Sequence, residues 1–358
     1  MKHRSLIFAA LVLLALSLAL PYTARIAQAA GPDRAACLSN PFGAGCTAGL
    51  PTVEYQMLLD EMLLHPQPDV RPLPPNIEEI ARFAFRKIVG GSATVYDAPG
   101  GNPVGSIDNG FNFVSVGGVQ GDWIQVNEGQ WMPASQLAVV RPSEYAGIYL
   151  DGDLTYPMAW VLVPAYPSAA PGQAGDQSRP LLQRYTRFNI FASVDIEGWQ
   201  WYLVGPEMWI KQTNVARILF VDRPPQVKGR WFAVDLYEQV MVAYEEDQPV
   251  FATLVSSGLE DWATNEGLFN VWSRQVNGHM SGAEGQADFY SLENVPWVMY
   301  FDDAISLHGT YWHDGFGYRH SHGCVNLTIT DAHWAFNWSM DGGFQSPFVY
   351  VYSSGEYR

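Results

Sequence analysis

The stretch His308-Gly309-Thr310-Tyr311-Trp312-His313-Asp314-Gly315-Phe316-Gly317-Tyr318-Arg319-His320-Ser321-His322-Gly323-Cys324-Val325-Asn326 gathers four of the chain's eight histidines around the only cysteine of its C-terminal half. A thiol attacks as its thiolate, and an imidazole in hydrogen-bond reach removes the proton and then pairs with the anion. Cys324 is therefore a candidate nucleophile and His308 a candidate base. The other role open to a lone cysteine is that of a small buried hydrophobe. Gly323, directly before the thiol, weighs for chemistry. A tight turn there would let the Gly323 and Cys324 N–H groups converge on one spot and hold a developing oxyanion.

A histidine followed by glycine and then, after a short loop, Ser-His-Gly-Cys-hydrophobic-Asn resembles the signature of the L,D-transpeptidase catalytic domain, also called the YkuD domain, in its His-Gly-Thr-Tyr-Trp-His form. The resemblance implies that Cys324 is the nucleophile and His308 the proton acceptor and donor. Ser321, His322 and Gly323 would shape the oxyanion pocket, with Asn326 on the same turn. His313, on the loop, is the second candidate base, and His322 would supply position and electrostatics. Upstream, Thr264-Asn265-Glu266-Gly267-Leu268-Phe269 keeps the Thr, Gly and Phe of the family's Thr-Pro-x-Gly-x-Phe, with Asn where Pro is usual. Tyr300 and Phe301, on the strand leading towards His308, are candidates to line the substrate groove; strand core is their alternative. Zinc would need further thiolates at short spacing or a His-Glu-x-x-His pair, and neither occurs, so no metal and no cofactor are expected.

The chain opens with Met1-Lys2-His3-Arg4, runs almost wholly apolar from Leu6 to Leu20, and reaches small residues at Ala27-Gln28-Ala29. A basic start, an apolar run of about fifteen residues and a small-residue cleavage site read as a secretory signal peptide over residues 1–29, too short to span a membrane. Removing it takes away Lys2, Arg4 and Arg25 and moves the formal charge from −16 to −19. Nucleic acid and anionic headgroups need clustered Lys and Arg, so neither is an expected partner. Of three cysteines in an exported chain, Cys37 and Cys46 stand close together and are expected to pair, which leaves Cys324 over.

Residues 30–87 read as an N-terminal extension: a helix over 51–64 with Thr52 as N-cap, a proline-rich linker over 66–75, and a second helix over 77–85 after Asn76. From 88 the period becomes that of short strands broken by Gly, Pro, Asn and Asp. Trp123 stands eight residues before Trp131, and Trp201 eight before Trp209, which suggests one module used twice, over 88–145 and 146–221. Both segments resemble bacterial SH3-like domains in pattern. Their tryptophans would pack hairpins or form an aromatic platform for wall glycan or peptide. After a hinge at Arg223-Pro224-Pro225, residues 224–353 hold three successive strands, a glycine-rich stretch over 272–292 read as a mobile flap, the motif, and a capped helix from Thr330.

The expected fold is mainly β: a C-terminal β-sandwich of the L,D-transpeptidase type with a short helix, preceded by two small SH3-like barrels. The expected function is that of an exported enzyme of the cell envelope. It would join peptidoglycan stem peptides by 3→3 cross-links through a Cys324 thioester, and carbapenems would acylate it. Two other readings stay open: a cysteine L,D-carboxypeptidase or amidase, and a non-catalytic wall-binding protein.

Overall fold

The computed structural model describes residues 32–107, 110–283, 289–341 and 346–356, so the signal-peptide segment lies outside the described residues. Two seven-stranded sheets dominate. The first runs in the order Gly267–Asn270, Phe348–Tyr352, Arg230–Asp235, Val240–Glu245, Gln248–Leu254, Ile148–Tyr149 and Arg71–Pro72. The second runs Leu137–Val139, Phe85–Ile88, Phe111–Ser115, Tyr290–Asp302, Ile305–Gly309 and Val325–Leu327, with Ser273–Gly282 paired to the long Tyr290–Asp302 strand.

The unbroken apolar run Trp231-Phe232-Ala233-Val234 marks a strand covered on both faces. Phe232 and Val234 point towards the second sheet, into a core with Met299, Phe301, Leu307, Val325 and Leu327. Trp231 and Ala233 point the other way, against Met158, Trp160 and Ala216. The helix Ile329–Trp338, capped by the Thr328 side chain, presses Ala332, Ala335 and Phe336 onto the first of these cores.

The two tryptophan spacings fall on equivalent hairpins. Trp123 pairs with Pro133 and Trp201 with Lys211, and each hairpin runs on into a 3₁₀ turn and a final strand. Each module also has a three-stranded half of the same plan: Phe111–Ser115, Phe85–Ile88, Leu137–Val139 in one, Arg187–Asn189, Met158–Val161, Val215–Arg217 in the other. In the first module that half continues into the second seven-stranded sheet, because Phe111–Phe113 pair in parallel with Tyr290–Leu292.

Several expectations shift. The helix after Asn76 ends at Arg82 with Phe83 as its C-cap, and the residues from Phe85 to Ile88 form a strand. Ile148 and Tyr149 belong to the first seven-stranded sheet, paired with Ala252 and Phe251, and the next strand after them starts at Met158. Thr52 is the first helical residue and not the cap; its hydroxyl bonds Thr47 at 3.0 Å. Within 272–292, read as a flap, Ser273–Gly282 is a strand that pairs along Tyr290–Asp302. Trp209 is fully buried and donates its indole N–H to Ala48 O at 2.9 Å, which removes it from any exposed platform. That contact docks the N-terminal extension, whose Cys37–Cys46 disulfide lies beside it.

Candidate active site

Alternation along Ile305–Gly309 sends Leu307 into the core and Ser306 and His308 to the opposite face, all nearly or fully buried. The neighbouring strand is parallel, with Leu307 opposite Val325 and His308 opposite Asn326. Cys324 immediately precedes that strand, and its Sγ lies 3.6 Å from the Ser306 hydroxyl and 3.8 Å from Ala304 O.

The turn that delivers the thiol is braced from inside. Ser321 Oγ donates to Cys324 O and accepts from Gly323 N–H at 3.1 Å. Thr264 Oγ1 donates to Gly323 O at 2.7 Å and accepts from Gly258 N–H at 2.9 Å, which gives the threonine of the upstream motif its task. Gly323 sits at φ +119°, where a side chain would be strained even though its Cβ would make only ordinary contact with Ile305 at 3.5 Å. One expectation is corrected here. The Gly323 N–H is engaged by Ser321, so it is not a free oxyanion donor; the Cys324 N–H has no partner among the described residues.

His308 is 2 % exposed, and burial pushes its imidazole down to about 4. The ring is therefore neutral near pH 7. Its Nδ1–H donates to Gly309 O at 3.0 Å, which leaves the Nε2 lone pair as the basic atom. Loss of water around the Cys324 sulfur pushes the thiol up, partly offset by hydrogen bonds from the Ser306 hydroxyl and backbone. The resting site thus holds a thiol and a neutral imidazole, not the ion pair of a preformed thiolate.

His313, the second candidate base, is structural. Gly315 N–H donates to its Nδ1 at 3.0 Å, and the Asn326 side-chain amide nitrogen lies 2.9 Å from its Nε2, so both ring nitrogens are engaged. Burial holds its imidazole well below the ordinary range. His320 stacks on it at 4.0 Å, and His322 lies between Trp262 at 5.2 Å and Tyr290 at 4.9 Å. Tyr300 is close enough for Cys324 to help burial raise its phenol, and its ring meets Trp272 at 5.7 Å. Phe301 is a correction: the next side chain along an alternating strand faces inward, and it packs in the core against Phe269 at 5.5 Å.

Cys324, His308, His320, Ser321, His322 and Asn326 line one side of a cavity of about 210 Å³. Phe111, Met280, Phe289, Tyr290, Leu292 and Trp312 form its apolar side. Ser306 and Phe111 were not singled out in the sequence. Ser306 had a signal, two residues before His308 on an alternating strand; Phe111 had none, because it arrives by pairing across the chain.

A β-sandwich presenting one thiol and the imidazoles of His308, His320 and His322 to a shared cavity is the class of site these residues build. Residues 229–351 match the model of the L,D-transpeptidase catalytic domain, YkuD, so the C-terminal part of the chain carries a domain of that family. Among solved structures, the catalytic domain of the Enterococcus faecium L,D-transpeptidase is 24% identical over 36% of this chain and 99% of that one, with a TM-score of 0.31. An L,D-transpeptidase from Mycobacterium smegmatis is 16% identical over 44% of this chain and 69% of that one, with a TM-score of 0.32. The avibactam carbamoyl enzyme of Ldtfm is 25% identical over 37% of this chain, with a TM-score of 0.32, and the match spans 51% of its length. Comparison with curated proteins gives no match.

Proposed function

We propose that the protein is an exported L,D-transpeptidase that joins peptidoglycan stem peptides by 3→3 cross-links through a Cys324 thioester. The observation that carries this reading is the pairing of a neutral His308, fixed with Nε2 free, and the Cys324 thiol on one cavity. As Sγ attacks the carbonyl between the third residue of a tetrapeptide stem and its terminal D-Ala, the thiol proton passes to His308 Nε2. The tetrahedral oxyanion takes the Cys324 N–H. His308 then protonates the departing D-Ala amine, and a thioester remains. The side-chain amine of a neighbouring stem attacks the thioester, its proton passes through His308, and the thiol is restored. The cavity's apolar side keeps water sparse around the thioester and favours amine over hydrolysis. Ser321 and Asn326 hold the turn and the His313 ring, and Tyr300 borders the groove. Residues 85–139 and 158–217 serve as SH3-like modules beside the enzyme.

A carbapenem presents a strained carbonyl to the same thiol. Intact-mass spectrometry of the purified chain after meropenem should show one adduct on the wild type and none on Cys324→Ala. Absence of an adduct on folded, reduced wild type would sink the assignment. With stem peptides, a cross-linked dimer supports the transpeptidase, whereas a released tripeptide alone would make it a carboxypeptidase.

A further inference from the structure

Catalytic-family residues 229–351 do not complete the cavity by themselves. Phe111 reaches it from a strand about 180 residues earlier in the chain, held in register by the pairs Phe111 with Tyr290, Asn112 with Ser291 and Phe113 with Leu292. The strand is locked at its far end as well, where Ser115 N–H and Oγ donate to Glu293 Oε2 at 3.0 and 2.6 Å. Behind it, Phe85 stacks on the fully buried Tyr311 with ring centroids 3.6 Å apart, and the Tyr311 hydroxyl donates to Glu293 O at 2.8 Å. The Phe111 ring meets Phe113 at 4.7 Å and His320 at 6.3 Å, which sets it beside one of the cavity's histidines. Two sheet edges joined by backbone hydrogen bonds give a fixed wall, not a tethered arm.

We propose that Phe111 is a substrate-contacting, specificity-determining residue supplied to the catalytic cavity by the first β module, where it packs on the aliphatic chain of the acyl-donor residue. This rests on the acyl-transfer reading above. The apolar wall of Phe111, Met280, Tyr290 and Leu292 supplies contact area that is the same in ground and transition states, so its loss weakens binding more than turnover.

The test uses the full chain, wild type, Phe111→Ala and Phe111→Leu, with a tetrapeptide stem bearing a diamino acid at its third position. Phe111→Ala is expected to raise KM about five- to tenfold with kcat within about twofold, and Phe111→Leu to restore most of the loss. Iodoacetamide, too small to need the wall, should alkylate Cys324 at the same rate in all three within about twofold. An unchanged KM overturns the proposal. So does a KM that rises together with a changed iodoacetamide rate, because that marks a displaced strand instead of a lost contact. Wild type that turns over no stem peptide would overturn the transpeptidase reading alone. The wall is then read with N-benzyl iodoacetamide, whose rate advantage over iodoacetamide should fall about fivefold in Phe111→Ala; an unaltered advantage rejects the Phe111 contact.

Discussion

The two small β modules share a plan and differ in one edge. In the first, the outer strand of the three-stranded half, Phe111–Ser115, pairs onward with Tyr290–Leu292 and becomes part of the second seven-stranded sheet, which carries His308. In the second, the equivalent strand Arg187–Asn189 pairs only with Met158–Val161 among the described residues. The second module instead packs face-on, Trp160 and Ala216 against Trp231 and Val242, and holds the motif loop by side chains: Arg184 donates to Phe316 O at 3.0 Å, and the Tyr185 hydroxyl to Asp314. An edge used for pairing places a residue in the site, whereas a face used for packing supports the site from outside.

The largest effect expected from this difference lies at Tyr311. Its ring carries the first module's Phe85, with Phe113 at 5.9 Å, and none of it is exposed. Tyr311→Ala should cost about 3–5 kcal/mol by chemical denaturation, the range for emptying a large buried aromatic site. Hydrogen exchange over 85–139 should rise first, since Tyr311 holds that module to the motif. A loss under about 1 kcal/mol, the size of a single hydrogen bond, would mean that backbone pairing alone holds the module.

Next in size is the buried carboxylate behind the connection between the modules. Asp331 accepts from Gly147 N–H at 2.9 Å and from the Thr253 hydroxyl at 2.6 Å, and burial raises it to about 6. The folded chain therefore holds this proton more tightly than the unfolded one. Its contribution is fully present below the unfolded value near 4 and is lost as pH rises through about 6. Relative to Asp331→Asn, the wild type should lose roughly 3 kcal/mol of stability between pH 4 and pH 7. His308 titrates in the opposite sense, with stability lost as pH falls from the ordinary imidazole range towards about 4, but it is present in both proteins and cancels. A stability difference that stays flat across this window would remove Asp331 from the ledger of pH-sensitive groups.

What could be read in the sequence follows the same division. Cys324, His308 and the Ser321–Gly323 turn stand within one short stretch, so their meeting at one cavity was legible without knowing any distant contact. The strand at 230–235 was legible because every residue of its run is apolar between Arg230 and Asp235. Pairings between distant strands were not. Nothing local to Phe111 says that it will lie beside Tyr290, and the glycines and polar residues of 273–282 resemble a loop until the long partner strand supplies their hydrogen bonds. Phe301 and Tyr300 could be separated only by knowing which face of their strand meets the core. The Gly323 amide, free in a turn read from sequence, is taken up by a hydroxyl two residues away.

The smallest effect, and the one that most sharply divides the modules, is at Asp314. Its carboxylate takes the Ser143 and Tyr185 hydroxyls, yet the residue is exposed and water can replace both partners. Arg184 still holds Phe316 O when Asp314 is truncated, and Phe316 stays fully buried. Asp314→Ala should therefore cost about 1 kcal/mol, a fall of about 2–4 °C in Tm for a domain of the size involved, with iodoacetamide alkylation of Cys324 unaltered. A fall as large as that of Tyr311→Ala, or a changed alkylation rate, would show that the second module fixes the catalytic loop as firmly as the first fixes the cavity wall. The contrast between an edge built into the site and a face packed behind it would then fail.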